Sequence, residues 1–175
     1  MATSLSTTLK LALTWVHKNS LDLGDVKDSN SLSLEDALTD GNGLDEAEEL
    51  WHDRRTLATS TVENLDLAGV LANAFGQTVA FTRVKAIAVR NRATAAGASL
   101  LVGGGDDGAG NNAFASWLDA ADNKVAVAPG GVLLLWNPSA AAYAVTAGTG
   151  DVLRVENTSG SDAVEYDVVI VGTKS

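Results

Sequence analysis

Residues 103–108 read GGGDDG and match the pattern G-x-G-x-x-G, whose glycines let a backbone approach the phosphates of a dinucleotide. Such a site also needs a helix that begins after the glycines, because its free N–H groups and its dipole bind the pyrophosphate. Here Asp106 and Asp107 stand where the phosphates would lie, and residues 111–112 are asparagines without a helix start. The stretch therefore predicts an acidic surface loop between strands, and we expect no nucleotide cofactor.

The same loop carries oxygen ligands of the kind that Ca²⁺ prefers. The candidate ligands are Asp106, Asp107, Asn111 and Asn112. A second stretch, DGNGLD at residues 40–45, resembles a calcium loop but departs from the EF-hand pattern, because Leu44 takes the fifth position and Asp45 the place of the glycine. We expect solvated turns at both places, and a weak calcium site at residues 106–112 is the alternative.

No arrangement of residues predicts catalysis. The chain has two histidines, His17 and His52, and it has neither a cysteine nor a Gly-x-Ser-x-Gly nucleophile elbow. His52 and Asp53 are neighbours in a predicted strand, so their side chains would point to opposite faces. Further acidic residues lie in charge runs or alternate with apolar residues, which indicates solvated faces rather than a glycosidase pair: Asp45, Glu46, Glu48, Glu49, Glu156, Glu165 and Asp167. We therefore predict no catalytic residue and no enzyme activity.

The composition limits the class of protein and of partner. The 175 residues fit one domain, and the net charge of −10 disfavours nucleic acid, whose phosphates would be repelled. The longest strongly apolar run, residues 132–136, is far too short to span a bilayer, so no membrane partner is expected. Without cysteine, neither disulfides nor thiolate metal sites can form.

Alternating apolar and polar residues predict strands along most of the chain. Leu9, Leu11, Leu13 and Trp15 alternate with polar or small residues, whereas residues 19–31 are rich in turn formers. The leucines of segment 32–38 fit a strand, which we favour, or a short helix capped by Ser33. Segment 44–55 fits either a helical turn or a strand.

The rest of the chain reads as short segments separated by turn residues. The predicted strands lie within residues 56–67, 81–92, 98–102, 112–118, 124–128, 131–136, 143–146, 151–157 and 163–172. Segment 68–77 reads as a compact connection, and the last two strands read as a hairpin turned by residues 157–162. The fold class is therefore all-β: a single-domain jelly-roll-like β-sandwich over residues 9–175 with short or no helices, preceded by a flexible N-terminal segment at residues 1–8.

Four stretches carry a resemblance to a known group of proteins. They are LWHDRRTL (50–57), ENLDLAGVLANAFGQTVAFTRVKAI (63–87), PGGVLLLWNP (129–138) and YAVTAGTGDVLRVENTSGSDAVEYDVVIVG (143–172). Together they resemble small virion proteins of tailed bacteriophages, similar to capsid decoration or cement proteins. The resemblance implies a jelly-roll or related β-sandwich that is made in the host cytoplasm and binds the major capsid protein on the virion surface. It also implies a homo-oligomer, either a trimer or a dimer, and it supplies no catalytic site.

The N-terminal segment is the predicted contact with the capsid, because it is uncharged and could add a strand to a neighbour. Its residues are Met1, Ala2, Thr3, Ser4, Leu5, Ser6, Thr7 and Thr8. The alternatives are a tail or fibre component, a carbohydrate-binding β-sandwich module, and an enzyme of unrecognised type. Scattered tryptophans favour core packing over a sugar-binding platform: Trp15, Trp51, Trp117 and Trp136.

Overall fold

The computed structural model describes residues 4–105 and 112–174, and all regular structure in these ranges is β-strand. The strands are β1 (Thr7–Leu21), β2 (Gly24–Leu38), β3 (Glu49–Leu57), β4 (Val62–Asp66), β5 (Ala68–Ala72), β6 (Thr78–Ala80), β7 (Arg83–Asn91), β8 (Leu100–Gly103), β9 (Lys124–Val127), β10 (Val132–Trp136), β11 (Tyr143–Ala144), β12 (Val152–Asn157) and β13 (Val164–Thr173). The all-β prediction is confirmed. Within the described ranges, no helix is long and apolar enough to cross a membrane.

Two antiparallel sheets form a β-sandwich, which we call the body. The front sheet has the order β10-β7-β13-β3, with β11 also beside β7, and the back sheet has the order β4-β12-β8-β9. One apolar core lies between them, because inward residues such as Ile87 and Ile170 in the front sheet share a buried cluster with Leu100 and Val155 in the back sheet. The sandwich is thus confirmed, and the jelly-roll connectivity stays a prediction.

The connection between β12 and β13 corrects the predicted hairpin. β12 pairs with β4 and β8 in the back sheet, whereas β13 pairs with β3 and β7 in the front sheet. The buried Asn157 holds this corner: its side-chain NH₂ group donates to the carbonyls of Ala58 (2.9 Å) and Asp162 (2.8 Å), and its Oδ1 accepts from the Ser159 N–H (2.9 Å). The alternation of apolar and polar residues correctly predicted two strands, but it carries no information about which sheet each strand joins.

Two other local predictions were wrong in part. Of the strand expected at residues 112–118, only an isolated bridge from Ala113 to Val152 forms. The following residues turn instead, with the Trp117 indole N–H donating to the Phe114 carbonyl (3.1 Å) while Phe114 packs in the core. The compact connection at residues 68–77 contains β5, which pairs with β6 as a small ribbon.

The segment expected to be rich in turns, residues 19–31, is mostly strand. β1 and β2 pair in register over 15 residues each, from Thr7 opposite Leu38 to Leu21 opposite Gly24. Only Asp22 and Leu23 form the turn. The strand reading of residues 32–38 is confirmed over its helical alternative. The turn predicted within residues 19–31 is confined to Asp22 and Leu23, because cross-strand pairing outweighs the local preferences of Asn, Asp and Ser in the rest of the segment.

A glycine in β13 is required by a close approach of two strands. The pairing of β13 with β7 shifts between Val171 and Gly172, which is a β-bulge. A Cβ atom added at Gly172 would lie 2.0 Å from the carbonyl oxygen of Arg83, which is far inside van der Waals contact. The front sheet can therefore accept no side chain at this point without moving β7.

We predict that Gly172→Ala destabilises the protein by roughly 1–3 kcal/mol, the usual cost of overpacking. The measurement is urea-induced unfolding of both proteins. Gly160→Ala is the control, because a Cβ atom there meets nothing within 4 Å, and it should unfold at the same urea concentration as the unmodified chain. Equal unfolding midpoints for the two variants would contradict the close approach at Gly172.

Candidate functional site

The hairpin of β1 and β2, residues 7–38, forms a sheet of its own, and we call it the arm. At about 3.3 Å per residue, each of its 15-residue strands extends for about 50 Å. Every residue from Lys10 to Glu35 is exposed. Over that span the arm therefore contacts no other part of the described chain extensively enough to bury a residue.

The arm has one apolar and one polar face, because residues directly opposite each other in a β-ladder share a face. Three consecutive cross-strand pairs form the centre of the apolar face: Leu11 with Leu34, Leu13 with Leu32, and Trp15 with Asn30. Leu13 is 62% exposed and Leu32 is 61% exposed. This is the pattern of a sheet with one covered face, yet within the described residues nothing covers it.

On the opposite, polar face of the arm, charged side chains pair with one another. Ion pairs join Lys10 to Glu35 (2.8 Å) and Lys18 to Asp25 (2.6 Å) across the two strands. The hydrogen bond from Lys18 lowers the pKa of Asp25. Such exposed pairs add little stability, but they favour this register and leave the polar face in water.

The base of the arm, where β1 begins and β2 ends (residues 7–9 and 36–38), is anchored on the outer surface of the front sheet. Leu38 is 1% exposed and packs in a buried cluster with Ala47, Ala86 and Val171. Trp136, at the end of β10, also packs against this cluster. Its indole N–H donates to a carboxylate oxygen of Asp36 (2.7 Å).

On the other side of the base, residues before β1 lie beside β3. Leu5 packs against the cluster of Leu38 and donates its backbone N–H to Asp40 (2.9 Å). Together with Glu48 and His52 from the β3 region, and with Phe75, it lines a groove of about 260 Å³. The base thus reaches from β3 on one edge of the front sheet to β10 on the other.

A buried lysine fixes the loop that follows the arm. The Lys85 ammonium donates to the carbonyl of Gly43 and to that of Pro138 (3.3 Å), and Pro138 also accepts from the Asp45 N–H (2.9 Å). Burial lowers the pKa of Lys85, and the nearby carboxylates of Asp45 and Glu46 oppose this effect. Sequence analysis missed Lys85, although one lysine inside the apolar run of β7 was a visible signal.

The loop at residues 40–45 is held by contacts with Glu46 and with Lys85. The Glu46 carboxylate turns back to accept the Gly43 N–H (2.7 Å). Among the residues that the structure describes, no three His, Cys, Asp or Glu side chains converge in a way that could hold a metal ion.

The glycine-rich stretch has a packing reason at its described end. A Cβ atom at Gly104 would lie 1.8 Å from the Ala121 carbonyl oxygen, because the chain before β9 passes directly over this backbone. Asp106, Asp107 and Asn111 lie outside the described residues, so the calcium alternative stays a prediction. The remaining candidate, Asn112, accepts the N–H groups of residues 151 and 152 at its carbonyl (3.0 and 2.9 Å).

Three of the acidic residues named from the sequence, Glu156, Glu165 and Asp167, take part in ion pairs. Glu165 and Asp167 lie on the outer surface of the front sheet and contact Arg54 and Arg92 at 2.7–3.3 Å. A hydrogen bond from Arg54 lowers the pKa of Asp167. In the back sheet, Glu156 accepts from Lys124 (2.8 Å).

One buried hydroxyl is held by a network with a carboxylate at its centre. The Tyr166 hydroxyl donates to Glu63 (2.8 Å), which also pairs with Arg55, while Arg55 contacts Asp53 (2.8 Å). Burial raises the pKa of Tyr166. The network links β13 to the edges of both sheets.

The histidines and tryptophans are distributed over different parts of the fold. His17 is on the exposed arm, and His52 is on the outer surface of the front sheet, with Asp53 facing the other way. Trp51 is buried, and Trp117 and Trp136 are partly buried against apolar clusters. Only Trp15 of the four tryptophans is exposed, on the apolar face of the arm.

The predicted contact segment, residues 1–8, lies next to this surface. Residues 1–3 fall outside the described part of the chain, residues 4–6 lie at the base, and Thr7 and Thr8 begin β1. Within the described residues, nine of the sixteen exposed large hydrophobic residues lie instead on residues 11–34. The alternating leucines of both strands were visible in the sequence, but the sequence did not show that these strands lie outside the body and leave the leucines exposed.

The comparisons with known proteins add no further restriction. No protein-family description, no curated protein and no solved structure matches this chain. The candidate site is therefore the apolar face of the arm, identified by its exposure alone.

Lys85→Met should destabilise the protein by about 1–3 kcal/mol, because it removes the buried donor to the Gly43 carbonyl and one of the two donors to the Pro138 carbonyl. The free energy of unfolding in urea at pH 7 measures this loss. Lys27→Met is the control, since Lys27 is exposed on the arm and its replacement should change stability by less than about 0.5 kcal/mol. Unchanged or increased stability in Lys85→Met would show that the buried charge does not secure the base.

We also predict that the body folds without residues 11–34 of the arm. Replacing residues 11–34 by Asn-Gly leaves the Lys10–Glu35 pair next to a two-residue turn, and the melting temperature at low protein concentration should move by less than about 3 °C. Leu38→Ala in the full chain is the contrast, because it opens the buried cluster and should cost about 2–5 kcal/mol. Circular dichroism follows both. An unfolded truncated chain would mean that the arm belongs to the folding core.

Proposed function

We propose that this protein is a non-enzymatic structural protein of a tailed-bacteriophage virion, and that it decorates and stabilises the capsid. The observation that carries the proposal is the arm, which presents two consecutive leucine pairs to solvent, Leu11–Leu34 and Leu13–Leu32, followed by Trp15 opposite Asn30. An isolated two-stranded ribbon is marginally stable in water, and a large exposed apolar patch marks an interaction surface. A chain built in this way needs an assembly around it.

The body suits a component that is present in many copies on a particle. Its front sheet presents the ion pairs of Arg54, Arg92, Glu165 and Asp167 to solvent. The net charge of −10 favours solubility of a densely coated shell and disfavours contact with packaged DNA. The resemblance of residues 50–57, 63–87, 129–138 and 143–172 to phage decoration proteins supports the capsid as the location.

Stabilisation would follow from preferential binding. A protein that binds the assembled lattice more tightly than free capsid subunits shifts the equilibrium toward the intact particle. If one unit contacts two subunits of the major capsid protein, the second contact gains from effective concentration, so each contact can be weak. No reaction chemistry is required of any residue in the body or the arm.

The test is cryo-electron microscopy of virions that contain this protein and of particles that lack it. We expect regular density over the capsid and release of DNA at a lower temperature from the particles that lack it. Adding back the full chain should restore the release temperature, and Thr14→Ala, on the polar face of the arm, should restore it equally well.

The chain in which Asn-Gly replaces residues 11–34 should restore the release temperature less at the same concentration. Density on the tail or fibres, with a head of unchanged stability, would contradict the capsid location and favour a tail component.

A further inference from the structure

We propose that the apolar face of the arm is covered by the same face of the arm of a second copy of this chain, packed antiparallel in a two-fold dimer. This inference rests on the proposed function, since it names the partner of the surface that carries it. The two ribbons would stack as in a β-sandwich, about 10 Å apart. The interface is isologous, so it closes after two copies.

The charge distribution on the arm favours a second copy. The centre of the apolar face has no charged residue over the three pairs from Leu11–Leu34 to Trp15–Asn30. The next pairs on this face, Leu9–Asp36 and His17–Asp28, each include an aspartate. Two arms therefore bring their uncharged centres together when Leu13 lies near the two-fold axis. The arm carries three lysines and five acidic residues, so it accounts for only −2 of the net charge of −10. Two arms consequently repel each other much less than two bodies would.

The area of the interface favours the antiparallel orientation. The free span of each strand is about 40 Å long, and the ribbon is about 10 Å wide, so two stacked arm faces would bury about 800 Å² in total. A stable interface needs about 1,000 Å² or more. The arm faces alone fall short of this value, so further apolar surface must be buried at their ends.

Apolar residues that could supply this surface lie at the tip of the arm and beside its base. Leu21 and Leu23 at the turn are exposed, as are Val132 and Leu134 on β10. β10 ends at Trp136, which binds the base of the arm through Asp36. Antiparallel packing places each tip next to the base and β10 of the partner, so both sets are covered together. Parallel packing would place tip beside tip and leave β10 in water.

A dimer of this kind would give the proposed decoration protein two bodies, one at each end of a paired arm. Each body could bind a different capsid subunit, and the arm pair would set their spacing. The dimer therefore supplies the bivalence that tight binding to a lattice requires.

The first experiment measures the mass of the purified full chain by light scattering at about 10 μM, a concentration that populates complexes of micromolar affinity. We expect a dimer for the unmodified chain and a monomer for Leu13→Asp with Leu32→Asp. The matched control is Thr14→Asp with Ser31→Asp, because this cross-strand pair lies on the polar face, and it should remain a dimer. Circular dichroism confirms that each variant is folded.

The second experiment tests the orientation, and the absence of cysteine from the chain allows single-cysteine cross-linking. In an antiparallel pair centred on the uncharged stretch, Leu13→Cys lies near the two-fold axis and should form covalent dimers with a short bis-maleimide cross-linker, because sheets stacked about 10 Å apart are too distant for a direct disulfide. Leu11→Cys and Trp15→Cys should cross-link poorly alone but well when mixed, and Thr14→Cys on the polar face should not cross-link. Parallel arms would instead cross-link efficiently at all three apolar-face positions in separate samples.

A monomeric unmodified chain, a trimer or larger oligomer, or a dimer that survives the Leu13 and Leu32 changes would overturn arm pairing. Efficient cross-linking of Leu11→Cys alone would overturn the antiparallel orientation. The two proposals fail separately. A monomer that still coats capsids leaves the proposed function standing, whereas a dimer that binds no capsid supports arm pairing and contradicts the capsid location.

Discussion

The uncovered apolar face of the arm is the constraint on which the rest of this structure depends. A leucine that is exposed to water forgoes about 1.5–3 kcal/mol relative to full burial, and the arm leaves four leucines of two adjacent cross-strand pairs in this state. The body gains nothing from them, because its own core is complete between two sheets. Their contribution can be realised only when another surface meets the arm.

The base of the arm attaches the hairpin to the body, and it combines two kinds of interaction. Leu38 supplies apolar burial against Ala86 and Val171, which is strong but has no preferred direction. Trp136 and Lys85 add hydrogen bonds to Asp36 and to the loop after the arm, and these fix orientation. Burial thus holds the hairpin on the sheet, and the hydrogen bonds determine the direction in which it leaves.

The sequence predicted individual strands better than the pairing between them. Period-2 alternation identified segments 81–92 and 163–172 because their inward residues face one core. Turn-forming residues were misleading in segment 19–31, where the pairing of β1 with β2 outweighs local turn preference. The alternation also failed at the β12–β13 corner, where Asn157 sends the chain to the other sheet. The alternating leucines of the arm were visible in the sequence as well, but the pattern is identical for a face that is buried against another sheet and for one that is exposed to water. Only the tertiary structure distinguishes the two cases.

The polar face of the arm explains how such a surface can exist before its partner arrives. A long ribbon with two open edges is a hazard, because any free strand can pair with it. Lys10–Glu35 and Lys18–Asp25 bind across the ladder and favour one register, so slippage would break both pairs and turn the leucines to the other face. Since the ribbon is ordered beforehand, less conformational entropy is lost when it binds. The same two pairs that contribute little to the stability of the single chain therefore prepare its apolar face for association.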